Sequence, residues 1–131
     1  MFSDFLAGFA TAVTPENLLF VLIGVLIGML VGVLPGIGPV ATIALLLPFT
    51  LNLDAATAVM MLAGVYYGAM YGGTITSVML KVPGEAATLI TLIDGYPMAK
   101  QGRAASALGI SAIGSLIGGV VAVVSVPFTG V

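Results

Sequence analysis

The sequence predicts an all-α integral membrane protein built from transmembrane helices and re-entrant or discontinuous helical hairpins. Three observations carry that expectation. Of 131 residues, 60% are hydrophobic and only 6% charged, against roughly 25% charged in a soluble domain that must coat itself for water. Charge gaps divide the chain: apart from Tyr, nothing ionisable lies between Glu16 and Asp54, between Asp54 and Lys81, or after Arg103, and such gaps are candidate membrane spans. Pro-Gly interruptions fall inside otherwise apolar stretches, and unwound backbone at membrane depth is tolerated only where protein buries it or it lines a wet cavity.

Composition also excludes whole function classes. With no Cys and no His, zinc sites, disulfide frameworks, thiol catalysis and histidine acid-base chemistry are absent, and no enzyme is expected. Three Lys plus Arg against five Asp plus Glu give a formal charge of −2, without the basic footprint of a nucleic-acid binder.

Residues 1–13 set Phe2, Leu6, Phe9 and Val13 at helical spacing, with Ser3 and Asp4 available as caps. Too short to span, they read as an amphipathic helix lying in the membrane interface. Thr14-Pro15-Glu16 is a helix start, combining an N-cap, a pre-set φ and a dipole-matched carboxylate. The helix expected over 18–34 crosses the bilayer, its apolar content favouring insertion by about 4–8 kcal/mol. Gly24, Gly28 and Gly32 recur along it every four residues, a face that lets another helix approach closely.

No helix passes unbroken through Leu34-Pro35-Gly36-Ile37-Gly38-Pro39, because Pro35 and Pro39 remove donors while Gly36 and Gly38 invite positive φ. Residues 40–51 are then a half-helix or re-entrant arm, too short for a hydrocarbon core of about 30 Å. Asp54 caps a transmembrane helix over 55–71, which the Gly72-Gly73 pair is expected to break. Residues 74–93 form a broken hairpin with its tip at Pro83-Gly84-Glu85. A polar loop over 94–103 carries Lys100 and Arg103, which the positive-inside tendency puts in the cytoplasm. A last transmembrane helix covers 104–126.

Candidate solute-binding residues are Tyr67, Gly72, Gly73, Thr74, Thr76 and Ser77. A half-helix beginning after Gly72-Gly73 would aim free backbone N–H groups and the positive end of its dipole at an anion. The hydroxyls offer donors to carboxylate oxygens and acceptors to a hard cation, so a sodium ion is expected near Gly36, Gly38 and Thr76. Pro35, Gly36, Gly38, Pro39, Pro83, Gly84 and Glu85 are candidates for coupling-ion binding or gating, Glu85 because a carboxylate inside a membrane is costly and usually functional. Pro83 and Gly84 oppose a helical Lys81 to Glu85 pair. The Gly36-Ile37-Gly38-Pro39-Val40-Ala41 stretch imitates a dinucleotide fingerprint, but the apolar run before it is far longer than a strand of about five or six residues. A small oligomeric scaffold, packing through the Gly24, Gly28 and Gly32 stripe and binding no solute, is the alternative from a different class.

Thr14-Pro15-Glu16-Asn17-Leu18, the break at 34–39, residues 66–77, Val82-Pro83-Gly84-Glu85-Ala86 and Asp94-Gly95-Tyr96-Pro97-Met98-Ala99-Lys100-Gln101-Gly102-Arg103 together resemble the large membrane subunit of tripartite tricarboxylate transporters, the TctA family, in its N-terminal part. The resemblance implies one repeat of an inverted-repeat secondary transporter, multi-pass in the bacterial inner membrane. It implies uptake of citrate-like tricarboxylates or dicarboxylates on a sodium or proton gradient, with no other cofactor. The implied partners are a small membrane subunit and a periplasmic substrate-binding protein. Alternating access also needs a second half or a second, inverted copy, so the chain is expected to be a fragment or half of a larger transporter. Lys81 departs from the pattern, standing where a neutral polar residue such as Asn is expected.

Overall fold

The computed structural model describes residues 1–129, and every regular element among them is helical. The helices are α1 (Phe2–Ala12), α2 (Pro15–Gly32), α3 (Gly38–Thr50), α4 (Ala55–Leu80), α5 (Leu89–Lys100) and α6 (Ala104–Thr129), with one 3-10 turn (Ala86–Thr88) leading into α5. Helices α2, α4 and α6, of 18, 26 and 26 residues, are long and apolar enough to cross a membrane. At about 1.5 Å per residue they measure about 27, 39 and 39 Å.

Glycine decides how α2 meets α4. A Cβ added at Gly24, Gly28 or Gly32 would fall less than 3.0 Å from the carbonyl oxygens of Met61, Val65 and Ala69 respectively. The arrangement is reciprocal, because a Cβ at Gly64 or Gly72 would lie 2.6 Å or 2.5 Å from the carbonyl oxygens of Val21 and Met29, and one at Gly68 would collide with that of Val25. The helices therefore touch backbone to backbone, the contact that small residues permit in a membrane. Residue numbers rise together along both, so α2 and α4 run parallel. The Gly24, Gly28 and Gly32 stripe is thereby filled from within the chain, which removes the surface an oligomeric scaffold would have used.

Both starts are tied together. The Thr57 hydroxyl donates to Asn17 Oδ1 at 2.6 Å, and Asn17 Nδ2 donates to the Thr11 carbonyl at 2.8 Å. Thr14 occupies the N-cap of α2 but does not cap it with its side chain, donating instead to the Thr11 carbonyl; Asp54 does cap α4, accepting from the Ala56 N–H at 3.2 Å. Thr57→Val leaves the buried Asn17 carbonyl without its donor. It is expected to cost about 1 kcal/mol, the scale of interhelical hydrogen bonds in membranes, read as a lower unfolding midpoint of the complete protein in detergent.

A parallel α2 and α4 need a return path, and α3 supplies it. Its 13 residues, about 20 Å long, pack against α4 and run back from the end of α2 to Asp54.

Two expected features are corrected. The break at Gly72-Gly73 is absent: α4 is one helix from Ala55 to Leu80, so the span does not stop at residue 71 and no half-helix begins at 74. Glycine weakens a helix by only about 1 kcal/mol, and Gly72 serves close approach to α2 rather than a bend. The hairpin expected over 74–93 accordingly has the last turns of α4 as its first arm. Residues 94–100 are helical rather than loop. Gly95 is buried against Val78, where a Cβ would lie 2.7 Å from a Val78 methyl. That packing holds α5 together past Pro97, which removes only one ladder bond near the helix end. Gly102, at φ +76°, then stops α5, with the N–H groups of Arg103 and Gly102 bonding the carbonyls of Met98 and Ala99.

Candidate functional site: two helix breaks on one turn of α4

Residues 72–77 of α4 are buried except Ile75, and the two Pro-Gly interruptions of the chain come to them. The first is the link from α2 to α3. The Thr76 hydroxyl donates to the Val33 carbonyl at 2.8 Å and lies 3.3 Å from the Gly72 carbonyl. Val33 ends α2, where carbonyls lose their intrahelical partners, so Thr76 satisfies an acceptor that the break has freed. Gly36 and Gly38 take φ of +89° and +64°, left-handed values that a glycine adopts without strain. Thr42, buried one turn into α3, donates to the Gly38 carbonyl at 2.7 Å. Thr76→Val should loosen this link at a cost of about 1 kcal/mol, seen as faster amide exchange in residues 33–38.

The second break follows Lys81, which takes a left-handed φ of 58° at the end of α4. Residues 81–84 double back along the helix until Gly84 lies directly on Gly73, backbone on backbone. Thr88 sits beside Gly73 and Gly95 beside Val78, so α5 then runs in the direction of α4. Pro83, Gly84 and Glu85 form the innermost point of this dip. There the Glu85 side chain is half-buried, and its Oε1 is buried without a hydrogen-bond partner. The Lys81 ammonium does not supply one. It lies 5.5 Å from the centroid of the Tyr96 ring, as does that of Lys100.

Hydroxyl chemistry on this turn differs from a simple anion site. Thr74, Thr76 and Ser77 donate to the carbonyls of Met70, Val33 and Gly73. Their protons are committed, and their lone pairs remain as acceptors. With α4 continuous, the free N–H groups expected after Gly72-Gly73 do not exist. What this turn offers is oxygen, suited to a hard cation or to a donor. Among the described residues no three His, Cys, Asp or Glu side chains gather to hold a metal, so a cation here would rely on hydroxyls, carbonyls and Glu85.

The expected site residues thus divide. Gly73, Thr76, Gly84 and the two breaks converge, with Gly72 and Ser77 on the same turn. Tyr67 and Thr74 instead line a cleft of about 690 Å³ between α4, α5 and α6, with Val25 and Met29 of α2 also on its wall. Thr91 of α5 and Ser111 and Ser115 of α6 also line it, and none was singled out by sequence. The available signal was the i, i+4 spacing of Ser111 and Ser115 on one helix face.

The fold and this site define a multi-pass helical membrane protein with two discontinuities that each pack on the same buried stretch of α4. Residues 18–131 match the model of the tripartite tricarboxylate transporter TctA family, and the chain belongs to that family. It is also 51% identical over 122 residues to an Agrobacterium vitis protein described as an uncharacterized 52.8 kDa protein in the TAR-I ttuC' 3'region. The match covers 93% of this chain and 24% of that relative, so the chain spans about a quarter of the relative's length. No solved structure matches.

Proposed function

We propose that this chain forms part of the core of a secondary transporter that takes up citrate-like tricarboxylates or dicarboxylates, driven by a sodium or proton gradient. The observation that carries the reading is the meeting of two helix breaks on residues 72–77. Discontinuous helices at such a point are how many secondary transporters build solute and ion sites. Family membership supports the rest: a small membrane subunit and a periplasmic binding protein as partners, and further repeats to complete alternating access. The three cations, Lys81, Lys100 and Arg103, lie at the end of the bundle opposite Glu16 and Asp54. That asymmetry supports a bacterial inner-membrane orientation with the cationic end in the cytoplasm.

In this reading the coupling ion sits between the breaks, near Gly36, Gly38 and Thr76, and Glu85 takes part in binding or gating it. A buried carboxylate oxygen without a donor is an open position for a cation or a proton. Movement of the Pro83-Gly84-Glu85 tip against Gly73 would open and close that position. Glu85→Gln in the complete protein is expected to lower gradient-driven citrate uptake by about tenfold or more while membrane insertion stays normal. Uptake that keeps its rate and its dependence on the gradient would contradict the role given to Glu85.

A further inference from the structure

We propose, resting on the transporter reading above, that the cleft between α4, α5 and α6 holds the carboxylate of the solute through the hydroxyls of Thr91, Ser111 and Ser115, with Tyr66 and Tyr67 also lining it. The cleft, of about 690 Å³, falls within the roughly 300–1,000 Å³ of small-molecule sites. Its hydroxyls divide by what they already bond. Thr74 donates to the Met70 carbonyl, Thr88 to that of Glu85 and Tyr71 to that of Leu108. Those of Tyr66, Tyr67, Thr91, Ser111 and Ser115 make no hydrogen bond within the described residues, so their protons are free for a ligand.

The turn of α4 between the breaks offers acceptors, whereas the cleft offers donors, and a carboxylate requires donors. O–H donors to an ionised oxygen are short and strong. No Asp, Glu, Lys or Arg lines the cleft, so the anion meets neither a fixed cation that would hold it nor a carboxylate that would repel it. Gly118, Gly119 and Ala122 continue the face of Ser111 and Ser115, and with at most a methyl group each they leave the space open. Thr74 connects the two regions: it lines the cleft, while Gly73 and Thr76 on the same turn touch the two breaks.

The test uses the complete protein with its partner subunits in proteoliposomes, other cysteines replaced, since residues 1–131 contribute none. Ser111→Cys and Ser115→Cys are exposed to a charged, membrane-impermeant methanethiosulfonate, with citrate, malate and succinate as probes. Both positions should react from water. A transported probe at about ten times its dissociation constant should slow the reaction about tenfold. Ser111→Ala with Ser115→Ala should raise KM for that probe about tenfold with kcat retained. The proposal is overturned if neither position reacts, because another helix or lipid then fills the cleft. A reaction that no probe slows, or an unchanged KM, overturns it equally. Failure of the transporter reading itself shows separately, as no uptake of any probe by the unmodified protein.

Discussion

Gly28→Ile in the complete protein is expected to cost about 4 kcal/mol or more of stability, enough to prevent recovery of folded protein. Any side chain at Gly28 begins less than 3.0 Å from the Val65 carbonyl oxygen, and backbone cannot swing aside as a flexible side chain can. The only relief is to separate α2 from α4. Separation loses the reciprocal contacts at Gly24, Gly32, Gly64, Gly68 and Gly72 together, and in lipid these van der Waals contacts are the main force between helices. Ordinary overpacking costs roughly 1–3 kcal/mol; this substitution exceeds that because six glycines depend on one spacing. Gly73→Ala is the control, since its Cβ would meet nothing nearer than 3.5 Å. It should leave the unfolding midpoint within about 1 kcal/mol of the unmodified protein, the range of the Gly to Ala helix preference. Equal midpoints for Gly28→Ile and the unmodified protein would contradict the parallel packing of α2 on α4.

Gly84→Ala is expected to abolish most carboxylate uptake, by about tenfold or more, with the folded protein still recovered in normal amount. A Cβ at Gly84 would collide with the Gly73 Cα, whereas a Cβ at Gly73 would make only ordinary contact with the Gly84 Cα at 3.5 Å. The same contact therefore forbids a methyl on one side and accepts it on the other. Gly84→Ala must lift the tip, moving Glu85 and Thr88 away from α4, but it leaves the α2 and α4 interface untouched. Uptake with Gly73→Ala should stay within about twofold of normal, because a contact at that distance is ordinary packing. Equal uptake by both variants would mean that the seat of the tip on Gly73 is not required for transport.

The helices were legible in the sequence wherever charge gaps bounded long apolar runs, because the membrane imposes both length and composition. The breaks at Pro35 to Pro39 and at Pro83-Gly84 were legible because proline removes a donor in any context. Gly72-Gly73 misled for the opposite reason: glycine permits a bend but does not require one, and tertiary contact decided. A second stripe, Gly64, Gly68 and Gly72, has the same spacing as Gly24, Gly28 and Gly32. It was the signal that Gly72 belongs to a helix interface. The helical course of residues 94–100 depends on Gly95 reaching Val78, a contact between distant positions that local propensity cannot report. At the site, hydroxyl positions were readable but not their bonding, so the turn looked like a donor for anions when its protons are already given to carbonyls. Thr91, Ser111 and Ser115 stood as lone hydroxyls on apolar helices, and only the packing of α4, α5 and α6 brings them to one space.

The most direct measurement is a density map of the complete transporter with its partner subunits, citrate and sodium bound, at a resolution that separates side chains. The account predicts α4 continuous through Gly72 and Gly73, Gly84 resting on Gly73, Thr76 on the Val33 carbonyl, and ligand density bordering residues 72–77. A tip standing away from Gly73, or ligand density that touches no part of that turn or the cleft beside it, would contradict it.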